Sequence, residues 1–246
     1  MKRFFLSLLC WLALAGTGLS AVAFDAASSA PDNLSSATLT WNHVNAGDAL
    51  FVGCAIRSDS VTMSTVKWDT AGANQSFTFK ARLQNVGSFR DIEIWYLVAP
   101  ATGTKTIEVT MSAGSINFAC GAISVTGAVQ SGDPLGTAAS SQADTGTSSS
   151  ISVSSGGTDE LVVDFMFVLT TAVSPGVTGS GQVERFSEDE GTSVHFLGST
   201  MPGAIGTVVP AWSWTNSVEH SQIGASVIAA AAAGSAVTAI TRRRRY

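Results

Sequence analysis

The chain has 246 residues, of which 45% are hydrophobic and 13% are charged, and its formal net charge is −5. This composition is too apolar for a disordered chain, and the acidic balance argues against specific binding of nucleic acid, which usually requires a basic face. The length allows one large domain or two small ones, and all-β sandwiches of this size commonly form a single unit.

Residues 1–23 have the pattern of a secretory signal peptide. Lys2 and Arg3 form a positive start, and the apolar run over residues 4–14 is shorter than the 18 or so residues that span a bilayer. Three tripeptides offer the small-x-small pattern that signal peptidase requires: Ala21-Val22-Ala23, Ala13-Leu14-Ala15 and Gly18-Leu19-Ser20. We expect a secreted or cell-surface protein whose folded domain begins at residue 24.

Short β-type segments separated by Gly, Ser, Asn, Asp and Pro follow. Residues 49–56 form a nearly continuous apolar run, typical of a strand buried on both faces. The other predicted strands, rich in β-branched and aromatic residues, are 37–41, 61–68, 77–83, 91–98, 106–111, 116–125, 151–153, 161–169, 183–186, 194–197, 208–214 and 223–230. The spacing of the turns is typical of β-sandwiches and barrels and predicts an all-β fold.

Residues 127–158 interrupt this pattern, because they contain few large apolar side chains before Ile151. They could link two small domains or form a long loop on one sandwich. The run at 161–169 is too apolar to stand in a separate small domain, which favours the loop. We therefore predict a single domain over residues 24–232 with a long Gly/Ser/Thr loop near 127–150.

Several segments carry a resemblance to a known group of modules. They are Ile94-Trp95-Tyr96-Leu97-Val98-Ala99-Pro100-Ala101-Thr102-Gly103, Thr106-Ile107-Glu108-Val109-Thr110, Ala122-Ile123-Ser124-Val125-Thr126-Gly127, Asp133-Pro134-Leu135-Gly136 and Phe24-Asp25-Ala26-Ala27-Ser28-Ser29. Together they resemble the jelly-roll or concanavalin-like β-sandwich modules of secreted bacterial surface proteins and phage virion proteins. The resemblance covers most of residues 24–230. It implies a jelly-roll-like antiparallel β-sandwich of two sheets and a non-catalytic surface or binding module.

The chain ends in a basic tail, residues 233–246, with four arginines at 242–245. Without these arginines, Lys2 and Arg3, 7 basic residues remain against 18 acidic ones, so the body carries a net charge of −11. The tail could be solvated, could act as a weak membrane anchor or sorting signal, or could contact anionic lipid, polysaccharide or nucleic acid. Any membrane contact would come from this tail or the signal peptide.

Cys54 and Cys120 remain after removal of the signal peptide, each within an apolar strand. In an oxidising compartment they could form a disulfide. They could equally be two small buried side chains, since a bridge requires closely facing Cβ atoms.

Catalytic motifs are absent from the sequence. The histidines, at 43, 195 and 220, have no metal-ligand spacing, and there is no Gly-x-Ser-x-Gly pattern. Glu93 and Glu108 each lie on the polar face of a predicted strand, as carboxylates do on any solvated sheet. We therefore do not predict an enzyme; a glycosidase would need two carboxylates facing each other across a cleft.

Two further groups are candidate ligand sites. The acidic residues Glu188, Asp189 and Glu190 lie in a predicted loop that could hold a structural calcium ion or be a solvated turn. Trp212 and Trp214 share one face of a predicted strand. An exposed pair of indoles could stack on sugar rings, whereas a buried pair would pack the core.

The sequence thus favours an exported, non-catalytic β-sandwich that binds carbohydrate or another surface polymer, with no cofactor other than a possible calcium ion. The alternative is a decoration protein of a cell surface or virion that self-associates as a homo-oligomer.

Overall fold

The computed structural model describes residues 21–31, 36–84, 90–114, 116–169, 173–190 and 193–231. Most of the predicted signal peptide and the whole basic tail lie outside these residues. The described chain contains strands and turns but no helix, and therefore no helix long and apolar enough to cross a membrane. The all-β prediction is confirmed.

The first half of the described chain contributes nine strands. They are β1 (Ala23–Pro31), β2 (Thr38–Asn45), β3 (Ala49–Ile56), β4 (Met63–Trp68), β5 (Gln75–Ser76), β6 (Thr78–Leu83), β7 (Asp91–Val98), β8 (Gly103–Met111) and β9 (Phe118–Thr126). Five form an antiparallel sheet in the order β1-β9-β3-β7-β6, and the others form a smaller sheet, β2-β8-β4-β5. The boundaries of β3 and β7 coincide with the predicted apolar runs.

The second half contributes the remaining strands. They are β10 (Ala139–Ala143), β11 (Ser148–Ser150), β12 (Val153–Ser155), β13 (Leu161–Val168), β14 (Gly176–Val177), β15 (Val183–Asp189), β16 (His195–Pro202), β17 (Gly206–Val208), β18 (Ala211–Ser213) and β19 (His220–Val227). A second five-stranded sheet has the order β10-β19-β13-β16-β15, and the small sheets β11-β18-β14 and β12-β17 accompany it.

The two halves have the same topology. In each large sheet the first strand of the half (β1 or β10) pairs with the last strand of that half (β9 or β19). The last strand pairs in turn with the central strand β3 or β13, so the orders are β1-β9-β3-β7-β6 and β10-β19-β13-β16-β15. The registers agree as well. Ala49 of β3 pairs with Val98 and Val125, and its counterpart Leu161 of β13 pairs with Pro202 and Val227. We call residues 21–126 the first repeat and residues 139–227 the second repeat.

The irregular features of the two repeats also correspond. Each outermost strand has a bulge at the same place, between Phe79 and Ala81 in β6 and between Glu184 and Phe186 in β15. Gly103 and Gly206, which open β8 and β17, have φ angles of 103° and 106°, a conformation that favours glycine.

The small sheets follow the same plan, with one interruption. In the first repeat, β2 and β8 form one continuous ladder that begins at Asn45 and Gly103. In the second, β12–β17 and β11–β18 keep a single register but are separated at Pro210. Proline lacks the N–H that a ladder needs, which explains the division into two short sheets.

The segment predicted as a long loop near 127–150 therefore needs correction, because it contains β10 and β11. Strands β10 and β11 consist of small and polar residues with weak β-propensity, and pairing with β19 and β18 holds them in place. The fold also has more sheets than the two predicted.

The main core lies between the two large sheets, and Phe186 is at its centre. Its ring packs against Phe165 and Phe196, with centroid distances of 6.1 and 5.4 Å. A Cβ atom on Gly121 of the first repeat or on Gly198 of the second would lie 2.2 Å from a carbon of this ring. These positions are glycine because the ring occupies the space that a side chain would need.

A separate apolar core fills the space between the large and small sheets of the first repeat. Cys54 of β3 and Cys120 of β9 are cross-strand partners in this core, and the structure joins them in a disulfide.

The folded body begins before the predicted boundary at residue 24. Val22 is buried in the main core, and its N–H donates to the carbonyl of Asp159 in the second repeat (2.7 Å). Residues 21–23 therefore belong to the folded domain, and β1 begins at Ala23.

Candidate functional site

A pocket of about 440 Å³ lies in the second repeat, where the edge strands β10 and β11 approach each other. This volume falls within the range of about 300–1,000 Å³ that is usual for small-molecule sites. Six of the lining residues carry hydroxyl groups: Ser141, Thr145, Ser148, Ser149, Ser150 and Thr178. His220 and Trp212 complete its polar and aromatic lining, and no residue of the first repeat lines it.

Along the same edge of the first repeat, two residues or more from the counterparts of the pocket residues, a series of hydrogen bonds joins the strands. The Trp41 indole N–H donates to Ser28 Oγ (3.0 Å), and Ser28 Oγ lies 2.8 Å from Nδ1 of His43. On the other side of the ring, Nε2 of His43 lies 3.1 Å from Ser124 Oγ, which donates to Asp25 (2.7 Å). These bonds join β1, β2 and β9.

The direction of these hydrogen bonds determines the state of His43. Burial lowers the pKa of the imidazole to about 4, so the ring is neutral near pH 7. The Ser124 hydroxyl hydrogen goes to Asp25, so the single ring proton is on Nε2, which donates to Ser124, and Nδ1 accepts from Ser28. Asp25 accepts from Ser124 rather than from the imidazole. This series of hydrogen bonds therefore differs from a nucleophile–base–acid triad, in which the carboxylate contacts the histidine directly.

Equivalent positions in the two repeats have opposite chemistry at the pocket. Because the ladders share one register, three residues of the apolar first-repeat core correspond to three pocket residues: Leu39 to Ser149, Phe118 to His220, and Ala30 to Ser141. Phe118 is fully buried, and Leu39 and Ala30 pack against the same core. The space that apolar side chains occupy in the first repeat is thus a polar pocket in the second.

Ser149 is the most unusual residue of the lining. Its side chain is 7% exposed, and its Oγ atom is buried without a hydrogen-bond partner. Buried hydroxyl groups are nearly always hydrogen-bonded, because the lost bonds to water are otherwise not replaced. The hydroxyl is unexposed in this conformation, so a bond to a ligand requires the side chain to turn toward the pocket that Ser149 lines.

Trp212 and Trp214 do not form the exposed platform that was one reading of the sequence. Both face inward from β18 and its end and are 0% and 6% exposed. They pack on the large sheet of the second repeat with Met166 and Leu197. The Trp214 ring contacts the His220 ring edge-on (4.9 Å between centroids) and donates to the Gly146 carbonyl (2.8 Å). The core-packing alternative is therefore the right one, although Trp212 still borders the pocket.

Trp212 is held by a buried carboxylate. Its indole N–H donates to Asp164 (2.6 Å), which also accepts from Ser199 (3.0 Å) and from Gln222 (2.9 Å). Burial raises the pKa of Asp164 to about 6, although these donors lower it. Val52 occupies the equivalent position in the first repeat, inside the apolar core.

The rim of the pocket carries one cation, and that cation is already paired. Arg90 of the first repeat is fully buried and donates to the Ala143 carbonyl and to the Asp144 carboxylate. Its Nε lies 3.4 Å from a carboxylate oxygen of Glu219. His220 adds no charge near neutral pH, because burial lowers its pKa.

The acidic residues predicted as a calcium site lie in and next to β15 rather than in a loop. Glu188 accepts from the Ser29 hydroxyl (2.7 Å), and Glu190 accepts from the Val194 N–H (2.9 Å), so each is bonded to the protein itself. Asp189 is the cross-strand partner of His195. Within the described ranges, no three His, Cys, Asp or Glu side chains cluster as metal ligands.

Glu93 and Glu108 are also kept apart. Glu93 of β7 is buried, accepts from the Trp95 indole (3.0 Å), and has a pKa raised by burial. Glu108 lies on β8 of the small sheet, where its neighbours Ile107 and Val109 face the core, so it faces outward.

Nothing in the sequence alone identifies Ser149 or His220 as a pocket residue. Only an alignment of the two repeats, strand by strand, would have shown polar residues at apolar core positions. No family model, no curated protein and no solved structure matches the chain. The candidate site is therefore identified by comparing the two repeats of this chain with each other.

Proposed function

We propose that the protein is an exported, non-catalytic β-sandwich module that binds carbohydrate, or another surface polymer rich in hydroxyl groups, in the pocket between β10 and β11. The observation that carries this proposal is the hydroxyl lining of a space whose counterpart in the first repeat is packed apolar core. A site with many hydroxyl donors and acceptors suits a ligand with the same groups.

Two features support the remaining parts of the proposal. The N-terminal sequence pattern and the Cys54–Cys120 disulfide are both typical of exported proteins. The lining residues include no carboxylate, whereas cleavage of a glycosidic bond normally needs two.

A glycan array with the purified protein, followed by calorimetry on the hits, tests the proposal. Ser149→Leu restores the bulk that Leu39 has in the first repeat and should fill the pocket, so we expect at least a tenfold loss of affinity. Ser152→Leu is the matched control, since Ser152 is exposed and does not line the pocket. An array without hits, or equal binding by the two variants, would contradict the proposal.

A second candidate function, self-association as a decoration protein, is favoured by one observation. Ile205 and Val209, on either side of β17, are 85% and 42% exposed. A contiguous exposed apolar patch is typical of contact surfaces, and these two side chains flank the same short strand. Light scattering would decide: a monomer at high concentration contradicts this candidate, and an oligomer that Ile205→Ser dissociates supports it.

A further inference from the structure

We infer that the pocket selects uncharged glycans over anionic ones, and that Ser149 and His220 of the second repeat determine this specificity. The inference rests on the proposed function and narrows its ligand class. It combines three observations: the charges around the pocket, the unpaired hydroxyl of Ser149, and the difference between the two repeats.

The charges disfavour an anionic ligand. No Lys or Arg is among the described lining residues, and the guanidinium of Arg90, which donates to the lining residue Ala143, is paired with Asp144 and Glu219. The rim therefore carries one positive and two negative charges. A carboxylate or sulfate on a sugar would lose its hydration and gain no cationic partner, so its binding would be unfavourable.

The polar groups favour a hydroxyl ligand. The Ser149 hydroxyl can donate one hydrogen bond and accept others, and none is formed within the protein. A sugar hydroxyl has the same dual capacity and would satisfy it. His220, whose Nδ1 lies 3.2 Å from the Val218 carbonyl, provides a neutral ring beside it.

The two repeats indicate where binding occurs. In the first repeat the counterparts of Ser149 and His220 are Leu39 and Phe118, which belong to an apolar core. That core is built of apolar side chains and contains the Cys54–Cys120 disulfide. The second repeat is thus the binding repeat, and the first supports it.

The test uses calorimetry with the full-length exported protein. Uncharged probes are cellotetraose, maltotetraose and chitotetraose, and the anionic probe is tetragalacturonate. We expect binding of at least one uncharged probe, no binding of tetragalacturonate, and an affinity that changes little between about 50 and about 500 mM NaCl, because no ion pair forms. Tetragalacturonate that binds as tightly as the best uncharged probe would overturn the inference while leaving the proposed function intact.

Variants test the two residues. Ser149→Ala removes one hydroxyl, and we expect about tenfold weaker binding, the loss typical of one hydrogen bond with a ligand. His220→Phe restores the first-repeat residue and should weaken the same probe, whereas the control Ser152→Ala should not. Melting temperatures within a few degrees of wild type would show that these small changes leave the fold intact. Unchanged binding by Ser149→Ala and His220→Phe would overturn the assignment, and no binding of any probe would overturn the proposed function with it.

Discussion

Single residues determine whether a given place in this fold is apolar or polar. Val52 and Asp164 occupy the same register position in the two repeats, yet one is a core side chain and the other a buried carboxylate. Asp164 is tolerated because Trp212, Ser199 and Gln222 all donate to it. A carboxylate at this buried position is therefore stable only together with the side chains that donate to it.

Removal of this carboxylate should therefore be costly. Asp164→Ala leaves the buried Trp212 and Gln222 donors without their acceptor, and we expect a loss of about 3 kcal/mol or more in the free energy of unfolding, measured in urea. Ser199→Ala, which removes one donor to Asp164 and the acceptor of Gln182 (2.8 Å) but keeps the carboxylate, is the control and should lose about 1 kcal/mol. Equal stability of Asp164→Ala and wild type would contradict this account.

His43 should make part of the stability depend on pH. Its pKa is lowered from 6.5 to about 4 by burial, so below pH 6.5 the unfolded chain takes up a proton that the folded one does not. The stabilisation is complete above pH 6.5 and is lost as the pH falls toward 4, by about 3 kcal/mol in total.

The measurement is the difference in unfolding free energy between wild type and His43→Gln across this range. The difference isolates His43 from Asp164, whose raised pKa has the opposite effect, since it stabilises the folded state as the pH falls below about 6. A difference that stays constant from pH 7 to pH 4 would show that His43 titrates normally.

The strands were predictable from sequence where their side chains are large and apolar. The boundaries of β3 and β7 follow from their largely apolar runs, whereas β10 and β11 consist of Ala, Ser and Gln, a composition that predicts a loop. The site was less predictable. Trp212 was identified as a candidate and does border the pocket, but its burial and the role of Ser149 depend on pairing between strands far apart in the chain.

Close packing between strands makes one glycine sensitive to substitution. Gly121→Ala would place a Cβ atom 2.2 Å from the Phe186 ring. Since a packed core cannot yield freely, we expect a loss of about 2 kcal/mol in unfolding free energy. Gly176→Ala is the control, because no atom lies within 4 Å of its added Cβ.

Combining Gly121→Ala with Phe186→Leu should separate crowding from other effects. If the ring is the cause, the double variant will be more stable than the sum of the two single losses predicts. Strict additivity would mean that Gly121 is needed for another reason.

At the scale of the whole molecule, the two repeats share one core and are not independent domains. Phe186 of the second repeat packs on Gly121 of the first, and Val22 at the start of the chain bonds to Asp159. Unfolding should therefore be a single cooperative transition, with equal calorimetric and van't Hoff enthalpies. Two separate transitions, one for each repeat, would contradict this.

The same packing predicts the mature N-terminus. Cleavage after Ala23 would remove Val22 from the core, whereas cleavage after Ser20, at the Gly18-Leu19-Ser20 pattern, would keep it. We expect mass spectrometry of the exported protein to give Ala21 as its first residue. A recombinant chain that starts at Phe24 should be less stable than one that starts at Ala21, by about 2 kcal/mol. Equal stability of the two chains would contradict this prediction and would be compatible with cleavage after Ala23.

Arg90 has a consequence that reaches across the molecule. This guanidinium belongs to the first repeat, but it holds the backbone of Ala143 and the carboxylates of Asp144 and Glu219 beside the pocket of the second repeat. Sequence changes in the first half of the chain that move this guanidinium would therefore alter the pocket without lining it. The molecule thus has a point of adjustment that is remote from the residues of the proposed ligand site.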